Sequence, residues 1–144
     1  MNVEDLLDDF EFLDDWEDRY RYVIELGRKL DPLPEEERNS TNKVTGCASQ
    51  VWLATTISPS NDDPNQPVLS FIGDSDAHIV RGLIYILFVI FSGKKADEIM
   101  ALDVKKIFNQ IGLDEHLSPQ RSNGLVSMVA RIKSDAQNAL TAVH

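Results

Sequence analysis

Apolar residues fall at helical spacing towards both ends of the chain and crowd at strand-like density in between. Val3, Leu6, Leu7 and Phe10 stand at i, i+3, i+4 and i+7, which predicts an amphipathic helix at the start. "DDWE" (14–17) reads as a second helix start, with Asp14 as cap and Glu17 three residues on, the spacing of a capping box. The helix it opens places Trp16, Tyr20, Val23, Ile24 and Leu30 on one side. It should stop at "LDPLP", where two prolines forbid continuation.

The middle of the chain changes period. "VWLATTI" (51–57) and "VLSFIG" (68–73) have the β-branched and aromatic content of strands. "SPSNDDPNQP" between them has the Pro, Asn and Asp density of a hairpin loop. Lys43 and Val44 offer a short further strand. The connections are too short for parallel crossovers, so antiparallel pairing is expected. From residue 76 the pattern is helical again. "SDAHIVRGLIYILFVIFSG" can open on Ser75 or Asp76 as cap and close at Gly93. Short helices are predicted over "ADEIMAL" and "DVKKIFNQIG", and a last helix from about Ser122, with Leu125, Met128, Val129, Ile132 and Ala136 at core spacing. Strands in the middle with helices on either side make an α+β fold: a small antiparallel sheet of about three strands covered by helices.

Composition narrows the function more than the fold. A chain of 144 residues, 42% hydrophobic and 26% charged, is expected to form a single globular domain over residues 1–144. Its net charge of −10 is concentrated in residues 1–18, which hold nine acids and no base. That balance argues against nucleic acid, whose binding needs Lys and Arg at phosphates. The acidic stretch reads as a solvated helix face that could steer a basic partner. The opening lacks the positive charge of a signal peptide. The longest apolar run, "LIYILFVIF" (83–91), is too short to cross a bilayer. With one cysteine and no intrachain disulfide to form, a cytoplasmic protein is expected.

That cysteine, Cys47, is the candidate for any chemistry. Metal sites need several Cys or His ligands at set spacings, and a disulfide oxidoreductase wants C-x-x-C; neither pattern occurs. A lone Cys is often a small buried hydrophobe. "TGCAS" (45–49) instead places it on a turn: Gly46 tolerates backbone angles that other residues avoid, and small neighbours leave the sulfur approachable. A protease-like use would need a base such as His78 or His116, to which no local signature links Cys47. On the residues alone, the packing and chemical readings both stay open.

Four blocks in order along nearly the whole chain resemble the SufE family, to which the CsdE proteins also belong. They are "WEDRYRYVIELGRKL" (16–30), "VTGCASQVWL" (44–53), "GDSDAHIVRGLI" (73–84) and "HLSPQRSNGLVSMVARI" (116–132). The family comprises sulfur-acceptor proteins that work with cysteine desulfurases in iron–sulfur cluster assembly. The resemblance implies a SufE/IscU-like fold. It also implies that Cys47 accepts a persulfide sulfur from a desulfurase of SufS or CsdA type, stimulates that enzyme, and passes the sulfur to an iron–sulfur scaffold. Pyridoxal phosphate would belong to the desulfurase, with no cofactor or metal on this chain. The protein would be a sulfur carrier and activator more than a stand-alone enzyme.

The resemblance further implies that the cysteine is tucked into an apolar cavity at a loop tip and exposed when the partner docks. Arg121 matches a family arginine tied to desulfurase docking, and Asp76 a position tied to motion around the active cysteine. Their plainer readings are a surface arginine near a helix start and a helix cap. Gly46 is expected to let the loop turn. Pro119 and Gly124 read as backbone punctuation, and His116 as a structural hydrogen-bonding residue. Ala48 departs from relatives, which commonly carry a polar residue there. Cluster scaffolds of the same fold use several cysteines, so cluster assembly on this chain itself is disfavoured. A rival reading makes the protein a docking activator of a desulfurase-like partner, with Cys47 structural.

Overall fold

A computed structural model describes residues 1–47, 49–60, 65–113 and 117–143. Ala48, the middle of the hairpin connection (61–64), residues 114–116 and His144 lie outside the described residues, and with them the expectations for Ala48 and His116. The first helix, α1 (Val3–Glu11), begins with a reciprocal cap: Asp5 N donates to Asn2 Oδ1 and Asn2 N to Asp5 Oδ2. It buries Leu6 and Phe10, two of the four residues the periodicity assigned to its inner face. The second, α2 (Trp16–Gly27), is capped by Asp15 rather than Asp14: Asp18 N donates to Asp15 Oδ1 at 2.9 Å. With two adjacent aspartates, spacing alone could not choose between them. This helix stops at Gly27, three residues before the predicted Leu30.

A single 3-10 turn (Glu35–Glu37) precedes the hairpin of β1 (Val51–Pro59) and β2 (Pro67–Ser75). The two strands pair antiparallel in a register running from Val51↔Ser75 to Pro59↔Pro67. Inward-facing residues alternate along β2, with Leu69 and Phe71 buried, whereas β1 buries Val51 and Leu53 and then emerges from the core. The third strand is not at Lys43, which makes only one antiparallel bridge, to Trp52. It is β3 (Lys94–Lys95), on the free side of β2, with Val68↔Lys95 and Leu69↔Lys94. Two lysines have no strand signature. Backbone placement makes them a strand: Gly93, at φ +78°, turns the chain out of the preceding helix and donates its N–H to Leu69 O at 2.8 Å.

That preceding helix, α3 (His78–Phe91), is buried nearly all round, as its unbroken apolar sequence requires. It packs against α2 on one side and β2 on another. A methyl group at Gly82 would overlap the Val23 carbonyl, and one at Gly27 would lie 2.7 Å from Gly82 N, so the α2 and α3 backbones touch at two glycines. The chain then forms α4 (Ala96–Ala101) and α5 (Val104–Gln110), both near their predicted places. The long α6 (Pro119–Val143) completes the fold. It starts three residues before the predicted Ser122: Ser118 caps it, its Oγ accepting from Arg121 N at 3.3 Å, with Pro119 in the first turn. Met128, Ile132, Ala136 and Ala139 bury one stripe of α6 in a core that runs from Leu6 to Ala139. No helix among the described residues is long and apolar enough to cross a membrane.

Candidate functional site

The segment carrying Cys47 is a short loop with a closed neck. Val44 N donates to Val51 O at 2.9 Å and Leu53 N to Asn42 O at 2.8 Å, so the chain leaves and re-enters the sheet edge at one place. Gly46 has φ +88°, a left-handed conformation that a residue with a Cβ adopts only under strain. It also lies against α6, where an added Cβ would sit 2.5 Å from Ser127 Oγ. Gly46 is thus required for its backbone angle, while its approach to the Ser127 hydroxyl, which would have to turn aside for a Cβ, shows the loop pressed onto the first half of α6.

This contact seats the thiol. Cys47 Sγ donates to the Gly124 carbonyl at 3.6 Å, and an added Cβ at Gly124 would meet the same sulfur at 3.5 Å. The sulfur is half-buried, beside a cavity of about 20 Å³ walled by Val51, Val80, Leu83 and Met128, with Gln120 and Arg121 also lining it. A space of that size admits one water-sized group. Burial pushes the Cys47 thiol above its ordinary pKa, because the thiolate loses hydration that these apolar walls do not replace. The resting residue is therefore a protonated, quiet thiol.

The fold brings together three of the four predicted site residues. Arg121, on the first turn of α6, lines the same cavity as Cys47, and its guanidinium lies 6.0 Å from the centre of the Tyr20 ring, a cation–π contact with α2. Gly46 adjoins the cysteine. Asp76 reaches the site by another route. It is exposed and does not cap α3, whose N-cap is Ala77; Ala77 N donates to Ser75 Oγ at 3.2 Å. Asp76 instead accepts from Gln50 N through Oδ1 at 3.0 Å and donates its own N–H to Gln50 O at 3.4 Å. The cap expectation is corrected: the carboxylate faces back across the sheet edge and ties down the exit of the cysteine loop.

Cys47 Sγ makes no bond to a histidine among the described residues, and His78 stands exposed at the start of α3. Among the described residues no group of three or more His, Cys, Asp or Glu is placed to hold a metal ion. Two contributions were not legible in the residues alone, although the family resemblance implied an apolar cavity around the thiol. Gly124 is not punctuation but the thiol's seat, and a glycine inside a strongly helical pattern is the signal that could have found it. The apolar walls come from β1, α3 and α6, whose convergence no local pattern announces.

Comparison with known proteins bears on the family and the fold. Residues 4–136 match the SufE family profile, described as the Fe–S metabolism associated domain. The chain belongs to the SufE family. An uncharacterized SufE-like protein of Rhizobium meliloti (strain 1021) is 58% identical, covering 98% of this chain and 99% of that relative. Another uncharacterized SufE-like protein, from Rhizobium etli, is 61% identical over 94% of this chain and 90% of its own length. A hypothetical protein from Thermus thermophilus, whose solution structure is known, superimposes with a TM-score of 0.74 at 18% identity, covering 96% of each chain. That likeness shows a shared fold. Membership of the family links this SufE protein to iron–sulfur metabolism.

Proposed function

We propose that this SufE-family protein accepts sulfane sulfur on Cys47 from the persulfide of a cysteine desulfurase and carries it towards an iron–sulfur scaffold. The observation that carries the reading is the seat of the thiol. The only cysteine of the chain is half-buried at the tip of a necked loop, over a cavity with room for one more small group. Family domains of this kind associate with cysteine desulfurases in general, which supports the choice of donor.

The chemistry is an exchange at sulfur. Once deprotonated, Cys47 Sγ attacks the terminal sulfur of the donor persulfide. The donor's S–S bond breaks, its inner sulfur leaves as thiolate and takes up a proton, and a new S–S bond forms on Cys47. No oxidant or reductant is consumed. The raised thiol pKa makes the resting protein a poor nucleophile, so docking must release the loop from α6 or supply positive charge. Arg121 stands beside the cavity to take part in that docking. Asp76, through Gln50, sets how readily the loop lets go. Pyridoxal phosphate belongs to the desulfurase in this reading, and the cytoplasm, where free thiols persist, is the compartment the exchange needs.

Labelled cysteine and a desulfurase test it. Sulfur label should appear on the wild-type chain, be removed by a thiol reductant, and be absent from Cys47→Ser. If Cys47→Ser stimulates the desulfurase as well as wild type and the wild type takes up no label, the protein is a docking activator and Cys47 is structural. Arg121→Ala should weaken stimulation while costing no more than about 1 kcal/mol of stability, the contribution expected of its contact with Tyr20.

A further inference from the structure

We infer that Arg131, with Asp135 and Thr55, is a positioning strut that holds the base of the cysteine loop in register with α6 and thereby sets how well the Cys47 thiol is sheltered. Residues 124, 128, 131 and 135 lie at i, i+4, i+7 and i+11, along one face of α6. Gly124 and Met128 meet the thiol and its cavity. Further along the same face, Arg131 Nη2 donates to the Thr41 carbonyl at 2.9 Å, in the segment that leads into the loop neck. Its Nε pairs with Asp135 Oδ1 at 3.3 Å, and Asp135 Oδ2 accepts from Thr55 Oγ1 on β1 at 2.6 Å.

Both strands of the loop's base are therefore tied to the helix that carries the seat. Thr41 leads into Asn42 and Val44, whose bonds to Leu53 and Val51 close the neck, and Thr55 continues the returning strand. The side chains of Arg131 and Asp135 are only 26% and 20% exposed, so solvent screens the pair less than it screens Arg21 with Glu17, at 72% and 84%. A guanidinium suits the place because its rigid planar fork aims separate N–H groups at the carbonyl and the carboxylate, whereas a lysine presents a single point charge on a flexible stem. Without the strut, the neck can shift relative to Gly124, and the sulfur loses its hydrogen bond and its walls.

Because Cys47 is the chain's only thiol, alkylation by iodoacetamide reads this position alone, with no desulfurase present. Arg131→Met should raise the alkylation rate several-fold, the change in loop opening expected from loss of a charged hydrogen bond that water partly replaces. Arg131→Lys should restore part of the protection, and Thr55→Val and Asp135→Asn should each give smaller increases. Tyr22→Phe, which removes the Tyr22–Asp9 hydrogen bond on α2, serves as a control for general destabilisation. It should lower Tm without changing the rate, and the Arg131→Met rate should respond little to low urea, as local opening does. An Arg131→Met rate equal to wild type would overturn the inference. So would an increase that Tyr22→Phe reproduces at matched Tm. Either failure leaves the sulfur-uptake result untouched, since the label experiment reads a different event.

Discussion

At the scale of single residues, the site depends on side chains that are absent as much as on those present. Gly46 combines a positive φ with a contact in which a Cβ would crowd the Ser127 hydroxyl. Gly46→Ala should cost about 1–2 kcal/mol from the backbone angle alone. Chemical denaturation should show this, together with faster Cys47 alkylation. Ser127→Ala in the same chain removes the hydroxyl that the new methyl would strike and leaves a Cβ at 3.4 Å, so it should recover the steric part of the loss and leave the backbone part. Cys47 itself was legible as a turn cysteine, because the glycine and small residues around it are local signals. Its shelter in an apolar cavity was expected from the family resemblance alone, and the residues that wall it were not legible, because Val80, Leu83 and Met128 lie far along the chain. The same holds for Asp76. Its sequence neighbours suggested a helix cap, and only the pairing of β1 with β2 brings Gln50 close enough to take its carboxylate instead.

At the scale of elements, one junction holds the loop and another holds the core. The first is the sheet edge, where Asp76 and Gln50 hold each other. Asp76→Ala should speed Cys47 alkylation several-fold while lowering stability by about 0.5–1 kcal/mol, since Gln50 is exposed and water can replace the lost acceptor. Asp76→Asn keeps an acceptor oxygen and should behave nearly as wild type. The second junction is the α2–α3 crossing. Gly82→Ala should destabilise the protein by about 3 kcal/mol, because the methyl would overlap the Val23 carbonyl of a helix that cannot move without unpacking the core. Elements with strong periodicity were predicted close to their observed bounds. The boundaries that moved did so for local chemical reasons: Asp15 in place of Asp14, and Ser118 with Pro119 in place of Ser122. The third strand was hidden because two lysines become β structure only through the edge that β2 leaves open.

At the scale of the whole molecule, a protonated, sheltered thiol couples chemistry to stability. The folded-state pKa of Cys47 lies above that of a free thiol, so the folded chain holds its proton more tightly than the unfolded chain does. The associated stability is complete below the free-thiol pKa and is lost as pH rises through the folded value. Tyr22, raised by burial and by its hydrogen bond to Asp9, adds a loss of the same sign at still higher pH. Urea midpoints should therefore fall as pH rises through the thiol range. Cys47→Ala should flatten only the earlier part of that decline.

The same shelter gives the protein its proposed use, a thiol held inactive until a partner opens the loop, then a persulfide protected when it closes. Intact-mass spectrometry after incubation with a cysteine desulfurase and cysteine tests that claim most directly. The wild-type chain should gain the mass of one sulfur, a thiol reductant should reverse the gain, and Cys47→Ala should gain nothing. A wild-type chain whose mass stays unchanged while the desulfurase turns over, or a gain that persists in Cys47→Ala, would contradict that claim.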